Sequence, residues 1–294
     1  MSYVKPSAGR LDSRQNTTNY DHPQETNLLD LTRAMQYNTD GQPEIRVTNS
    51  VTLTSAPWYL QVARGLVTGT SWVQRSAYNP SIGNGETESI WVEGGIYPFT
   101  TWEDTAQKLY VISTSASDTG QTIYIEGLDT NYNRITETVT TNGTTAVVTT
   151  QDFLRIHTAT ITSHNTPNVG EITFRLVDGT GTVVAHIGAG FGITKLSQYT
   201  VPAGYTGYVM YGDATTFRTG SGNIGSLVKM LVRPFNGTFV TAFIAEVVNG
   251  YYRNDFTVPM VIPEKSDIDV QITADGNGTQ ATVNYQILLI DNSL

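Results

Sequence analysis

From Lys108 to about Gly190 the chain runs in strand-length segments that alternate apolar and polar residues, and no other feature limits its fold as strongly. The segments are KLYVIST, QTIYIEGL, NRITETVT, TAVVTT, FLRIHTATIT, EITFRLV and TVVAHIGA. They are separated by ASDTG, DTNYN, NG, HNTPNVG and DGTG. A period of two sends successive side chains to opposite faces of a sheet, so each segment offers one face to a core. Strands at this spacing, joined by such turns, read as an antiparallel sandwich or barrel. Asn142–Gly143 is the strongest single hairpin signal, because both residues tolerate the positive φ of a type I′ turn.

A second β unit is expected from about Ile193 to Leu294, an eight-strand jelly-roll-like sandwich with another Asn–Gly turn at 236–237. Pro259 and Pro263 confine their strand to an edge or to its ends, since proline cannot donate to a ladder. The stretch GAGFGITK at 188–195 is the natural boundary, read as a hinge. Strand signals also start at Glu44, with EIRVTNSVTLTS followed by WYLQVARGLV. Residues 71–104 are richer in turns and hold Trp72, Trp91 and Trp102, which are expected to pack beneath their loops rather than lie open to a partner. Residues 1–45 are polar and turn-rich. TNLLDLTRAMQY places Leu28, Leu31 and Met35 at helical spacing after a capping Thr26/Asn27. The region is expected to be an extended arm docking on its own domain or a neighbouring subunit, with a disordered tail as the alternative. The fold expected is therefore all-β: an arm over 1–45, a first sandwich over 46–190 that includes the Trp-rich segment 71–104, and a jelly-roll-like sandwich over 191–294.

Composition narrows the chemistry. A chain of 294 residues needs no covalent staple, and it contains no cysteine, which removes disulfides, thiolate metal sites and thiol nucleophiles together. Net charge is −9 with no basic stripe, so nucleic acid is not an expected partner. The N-terminus lacks an apolar signal segment, and the longest apolar runs are of strand length. The expectation is a chain made in the cytoplasm without membrane insertion.

Candidate reactive groups are scattered. His22, His157, His164 and His186 form no metal or protease motif. GAGFG is not a dinucleotide fingerprint, because no helix pattern follows it. DGNGTQ at 275–280 loosely resembles a calcium loop without the alternate acids. Glu86, Glu88, Glu93, Glu103 and Asp104, set among tryptophans, are the one enzymatic candidate. Two carboxyl groups about 5–9 Å apart beside aromatics are what glycoside hydrolysis uses. Solvated loop acids are the commoner reading, and no catalytic, cofactor-binding or metal residue is assigned.

Two longer stretches carry a resemblance. ARGLVTGTSWVQRSAYNPSIGNGETESIWVEGGIYPF (63–99) and LYVISTSASDTGQTIYIEGLDTNYNRITETVTTNGTTAVVTTQDFLRIHTATI (109–161) are similar to a recurring module of virion structural proteins in tailed bacteriophages, marine and cyanobacterial ones included. The turn after SASDT, longer and glycine-rich in that module, is a bare GQ here. LSQYTVPAGYTGYV, VRPFNGTF and IPEKSDIDVQITADGNGTQ resemble the second half of such proteins. The resemblance covers most of the chain beyond residue 60 and brings no catalytic residues. It implies a role in the particle. The expected function is a non-enzymatic capsid-exterior component of decoration or head-fibre type, a homo-oligomer expected to be a trimer, contacting the major capsid protein or other virion proteins. The alternatives are a tail adaptor, baseplate or fibre component touching host glycan, and a carbohydrate-active enzyme.

Overall fold

The structure is a computed structural model that describes residues 35–37, 43–45 and 56–294 apart from 103–104, 164–166, 178–179, 219–224 and 249. The chain divides into two units, 1–57 and 58–294. In the first, β1 (Met35–Tyr37) pairs antiparallel with β2 (Pro43–Ile45). Met35, expected on a helix, is thus on a strand, and the residues between the two strands include an Asp40–Gly41 hairpin signal. Leu28, Leu31 and His22 lie outside the described residues.

The second unit is all-β, with every strand pair antiparallel. It opens with a short helix, α1 (Trp58–Ala63), where the sequence suggested a strand. A short apolar run cannot distinguish the two. Leu, Gln and Ala favour a helix once Gly65 is available to end it. Gly65 takes φ +69°, and its N–H and that of Leu66 cap the carbonyls of Val62 and Gln61.

The N-terminal sandwich is built from β5 (Tyr110–Ser113), β6 (Thr119–Leu128), β7 (Arg134–Asn142), β8 (Val147–Val148), β9 (Arg155–Ile161), β10 (Ile172–Arg175) and β11 (Val183–Ile187). One sheet runs β11-β10-β5-β8 and the other β7-β6-β9. Leu109, Ile123, Ile125, Phe153, Ile172 and Phe174 are fully buried between them. Asp129 closes the β6–β7 hairpin by accepting the N–H groups of Asn131 (2.8 Å) and Asn133 (2.9 Å). The Asn142–Gly143 turn forms, with Gly143 at φ +56°, yet it makes no simple hairpin. Its outgoing strand β8 pairs with β5, so the turn carries the chain from one sheet to the other. Gly143 is wedged against Ala116, where a Cβ would come within 3.0 Å of backbone.

The C-terminal sandwich has one sheet of β12 (Tyr199–Thr200), β17 (Asp267–Thr273), β14 (Gly225–Arg233) and β15 (Val240–Val248). The other contains β16 (Tyr251–Ile262), β13 (Tyr205–Phe217) and β18 (Thr279–Asp291). Two strands from far upstream complete it. β3 (Thr70–Ile82) lies beside β18 from Thr70↔Ile290 to Ile82↔Thr279, and β4 (Thr87–Ser89) pairs with β17. This corrects the division at residue 190. Residues 71–104 read as a turn-rich segment rather than a strand, and the outer strand position that β3 fills becomes available only when β18 has formed. The tryptophan segment is shared out accordingly. Trp72 belongs to β3, while Trp91 and Trp102, with α2 (Phe99–Trp102), enter the N-terminal core. Pro259 falls in β16, an edge strand as expected, where its pairing with β13 slips register. Asn236, at φ +58°, turns the β14–β15 hairpin.

Candidate functional site

The acids of the hydrolase hypothesis are occupied in building turns. Glu86 accepts the N–H of Gly83 at 3.2 Å, closing its own loop. Glu88 accepts from Asn79 Nδ2 at 2.9 Å and from Gly95 N at 2.7 Å. Glu93 meets His186 Nδ1 at 2.9 Å, tying the 91–95 loop to β11, and Glu171 stands 4.0 Å from the other ring nitrogen. Glu103 and Asp104 lie outside the described residues. Trp91 and Trp102 are buried as expected. Trp91 packs edge-on against Tyr97 at 5.0 Å between centroids and donates its N–H to Gly95 O, so neither ring forms a cleft floor.

The remaining candidates are likewise structural. His157 is buried and stacks on Tyr199 at 4.3 Å. Burial, and the nearby guanidinium groups of Arg75, Arg134 and Arg155, hold its pKa well below the usual histidine range. His164 lies outside the described residues. The glycines at 188–192 are pinned rather than left as a hinge. Asn168 bonds the carbonyl of Gly188 through Nδ2 at 2.9 Å and accepts the N–H of Gly192 at 3.0 Å. Asp275 of DGNGTQ accepts Gly225 N at 2.6 Å. Among the described residues no group of three or more His, Asp or Glu side chains could hold a metal ion.

Sequence reasoning missed a buried polar seam between the two sandwiches. Asp267, at the start of β17, pairs with Arg155 of β9 and Arg233 of β14 and accepts Thr200 Oγ1 at 2.5 Å. Two residues on, Asp269 accepts Ser89 Oγ (2.8 Å), Gln198 Nε2 (2.6 Å) and Gln271 Nε2 (2.8 Å). Tyr285 reaches from β18 to the carbonyl of Ser197, and Arg75 Nη2 from β3 to that of Leu196 at 2.9 Å. Burial raises the pKa of Asp269 against the pull of its three donors, and the Asp267 charge adds to the rise. Apart from Gln271, these partners lie 34 to 180 positions from the residue they bond, so no local pattern announces them. The alternation of charge in SDIDVQ was the only hint.

The exposed surface carries apolar side chains as well. Its two apolar concentrations lie on α1 (Trp58, Tyr59, Leu60) and on the adjacent edges β15 and β16 (Val240, Ile244, Val248, Tyr251, Val258, Val261). Beside α1, a cleft of about 300 Å³ is lined by Tyr59, Ala63, Trp72, Val73, Gln74 and Gln286. The outer face of the β16-β13-β18-β3 sheet sets rows of neutral and paired groups across four strands, among them Gln74–Gln286–Tyr211–Asp255 and Ser76–Asn284–Asp213–Arg253. Tyr211 donates to Asp213, an interaction that pushes its own pKa up to about 12.

No protein-family profile and no curated protein matches the chain. Among solved structures, the VP2 subviral particle of infectious bursal disease virus aligns at 9% identity and a TM-score of 0.20, covering 76% of this chain and 73% of that one. The PBSX exported protein XepA aligns at 13% identity and a TM-score of 0.17, covering 73% and 86%. Superpositions this loose carry no argument about the present chain. Among the described residues no helix is long and apolar enough to cross a membrane.

Proposed function

We propose that this chain is a non-enzymatic structural component of a tailed-phage virion, placed on the capsid exterior as a decoration or head-fibre subunit. Its partners are copies of itself and neighbouring virion proteins such as the major capsid protein. The virion assignment rests on the sequence stretches quoted above. The mode of action rests on one structural observation: Glu86, Glu88, Glu93, Asp267 and Asp269 are engaged in fastening loops and sheets together, while large apolar side chains stand exposed on strand edges. Val258 is 80% exposed and Val261, Tyr251 and Val240 each exceed half. Apolar clusters of this kind favour permanent burial against another subunit, and neutral flanks have little desolvation cost there.

The test is stoichiometry. Protein profiles of purified particles should show the chain in hundreds of copies, matched to the capsid protein. Its absence from particles overturns the proposal, and a handful of copies moves it to the tail. The tail placement, with contact to host glycan, draws on the cleft beside Trp72, where aromatic faces and two glutamine amides meet. Glycan cleavage by the isolated chain, lost in Glu93→Gln, is the result that would establish an enzyme instead.

A further inference from the structure

Among the described residues, the C-terminal sandwich is open along one side. β15 is the last strand of its sheet and β16 the last strand of the facing sheet. Among the described residues β15 pairs only with β14, and β16 only with β13. Both edges lie on the same side, since Phe243 of β15 contacts Tyr252 and Phe256 of β16 at 6.0 and 5.5 Å between centroids. Between them lies an apolar cavity of about 40 Å³, lined by Met230, Phe243, Ala245, Tyr252, Asn254 and Phe256 among others. The core thus reaches the surface between two edges that no other described strand pairs, beside exposed Ile244, Val248 and Tyr251. Native sheets normally cover or charge such edges. The register slips at Ala242 and between Asp255 and Met260 blunt only one end. Phe243–Val248 and Tyr251–Asp255 remain regular and long enough to pair.

We propose that two copies of the chain join through this open side about a two-fold axis, β15 against its copy and β16 against its copy, so that each sheet continues into its partner's. It rests on the reading of the chain as an assembly component. A second copy fits better than any single extended segment, because one added strand can complete only one sheet and here two edges are open together. The charges also match. A two-fold axis near Asn254 sets Arg253 of one copy opposite Asp255 of the other, and the reverse, as an isologous antiparallel pair requires. Both side chains are exposed, at 53% and 65%, and within one copy they pair with each other at 3.0 Å, so the axis lets each exchange that partner for the same residue of the other copy. The pairing gives a dimer where a trimer was expected from the sequence.

Light scattering on the purified full-length chain tests this, with Arg253→Glu, Asp255→Arg and the double exchange as variants. The wild type should be a dimer. Each single change places like charges across the axis and should raise the dimer dissociation constant about tenfold or more. The double exchange should restore it, while circular dichroism and Tm stay level throughout. Because the chain has no cysteine of its own, Asn254→Cys should give a covalent dimer on oxidation, and Asn236→Cys should not. A monomer, a trimer, or a dimer indifferent to all the charge changes overturns the interface. A monomer that still co-purifies with particles overturns this interface alone, whereas a dimer absent from every particle overturns the virion reading alone.

Discussion

Arg155 Nε and Asp267 Oδ1 face each other at 3.1 Å across the seam between the sandwiches, each side chain only 3% exposed. Burial alone would lower the arginine pKa, but the Asp267 charge and hydrogen bond outweigh it and leave the guanidinium more firmly charged than in water. Such a pair is worth little relative to an apolar filling, yet costly to break from one side. It makes the junction between two separate cores specific in orientation.

Asp267→Ala should therefore destabilise the chain by about 3–5 kcal/mol, because Arg155 and Arg233 lose their shared counter-charge. Urea unfolding checks this. A loss below about 1 kcal/mol would show that water enters the seam and replaces the carboxylate.

The pH dependence should carry the signature of His157. Its folded pKa lies well below the unfolded value of about 6.5. The unfolded chain therefore takes up a proton that the folded chain refuses as pH falls below 6.5, and stability drops by about 1.4 kcal/mol per pH unit through that window. His157→Gln should flatten this slope between pH 6.5 and the folded pKa. An unchanged slope in denaturation at several pH values would mean another group causes it.

Asp269 acts in the opposite sense. Its folded pKa is raised above the unfolded value of about 3.9, so its contribution is greatest in acid and fades as pH rises through the folded pKa. The Tm of Asp269→Asn, compared with the wild type, should improve as pH rises above about 3.9 and level off past the folded pKa. A difference independent of pH would show that the hydrogen bonds from Ser89, Gln198 and Gln271 outweigh burial.

Gly127→Ala tests the packing of the β6–β9 pair. A Cβ there would sit 2.1 Å from the Arg155 carbonyl oxygen and 2.8 Å from the Phe153 ring. Overpacking against backbone costs about 1–3 kcal/mol or more, seen as a lower Tm with the all-β circular dichroism retained. Gly85→Ala, where nothing lies within 4 Å, carries only the cost of its positive φ and should lose less.

The strands from Tyr110 to Ile187 were legible because alternation and turns are local properties, as were the burial of Trp91 and Trp102 and the edge position implied by Pro259. Pairing was not. Nothing near Thr70–Ile82 names Thr279–Asp291 as its neighbour, so the first strand of one sandwich looked like part of the other. The same distance hid the site. His186 and Glu93 are 93 positions apart, and Glu86, Glu88 and Glu93, set beside tryptophans in the sequence, tie loops in place. α1 escaped because a six-residue apolar run carries too few periods to separate a helix from a strand.

The insertion of β3 alongside β18 has a consequence for biosynthesis. β18 is translated long after β3, following every other strand of the sandwich. The N-terminal sandwich, contiguous in sequence, can mature while translation continues. Its companion must wait for β18, with Thr70–Ile82 lacking that partner until then. Any product broken off early lacks the strand on which β3 docks, so an incomplete copy never presents a finished outer sheet to its neighbours.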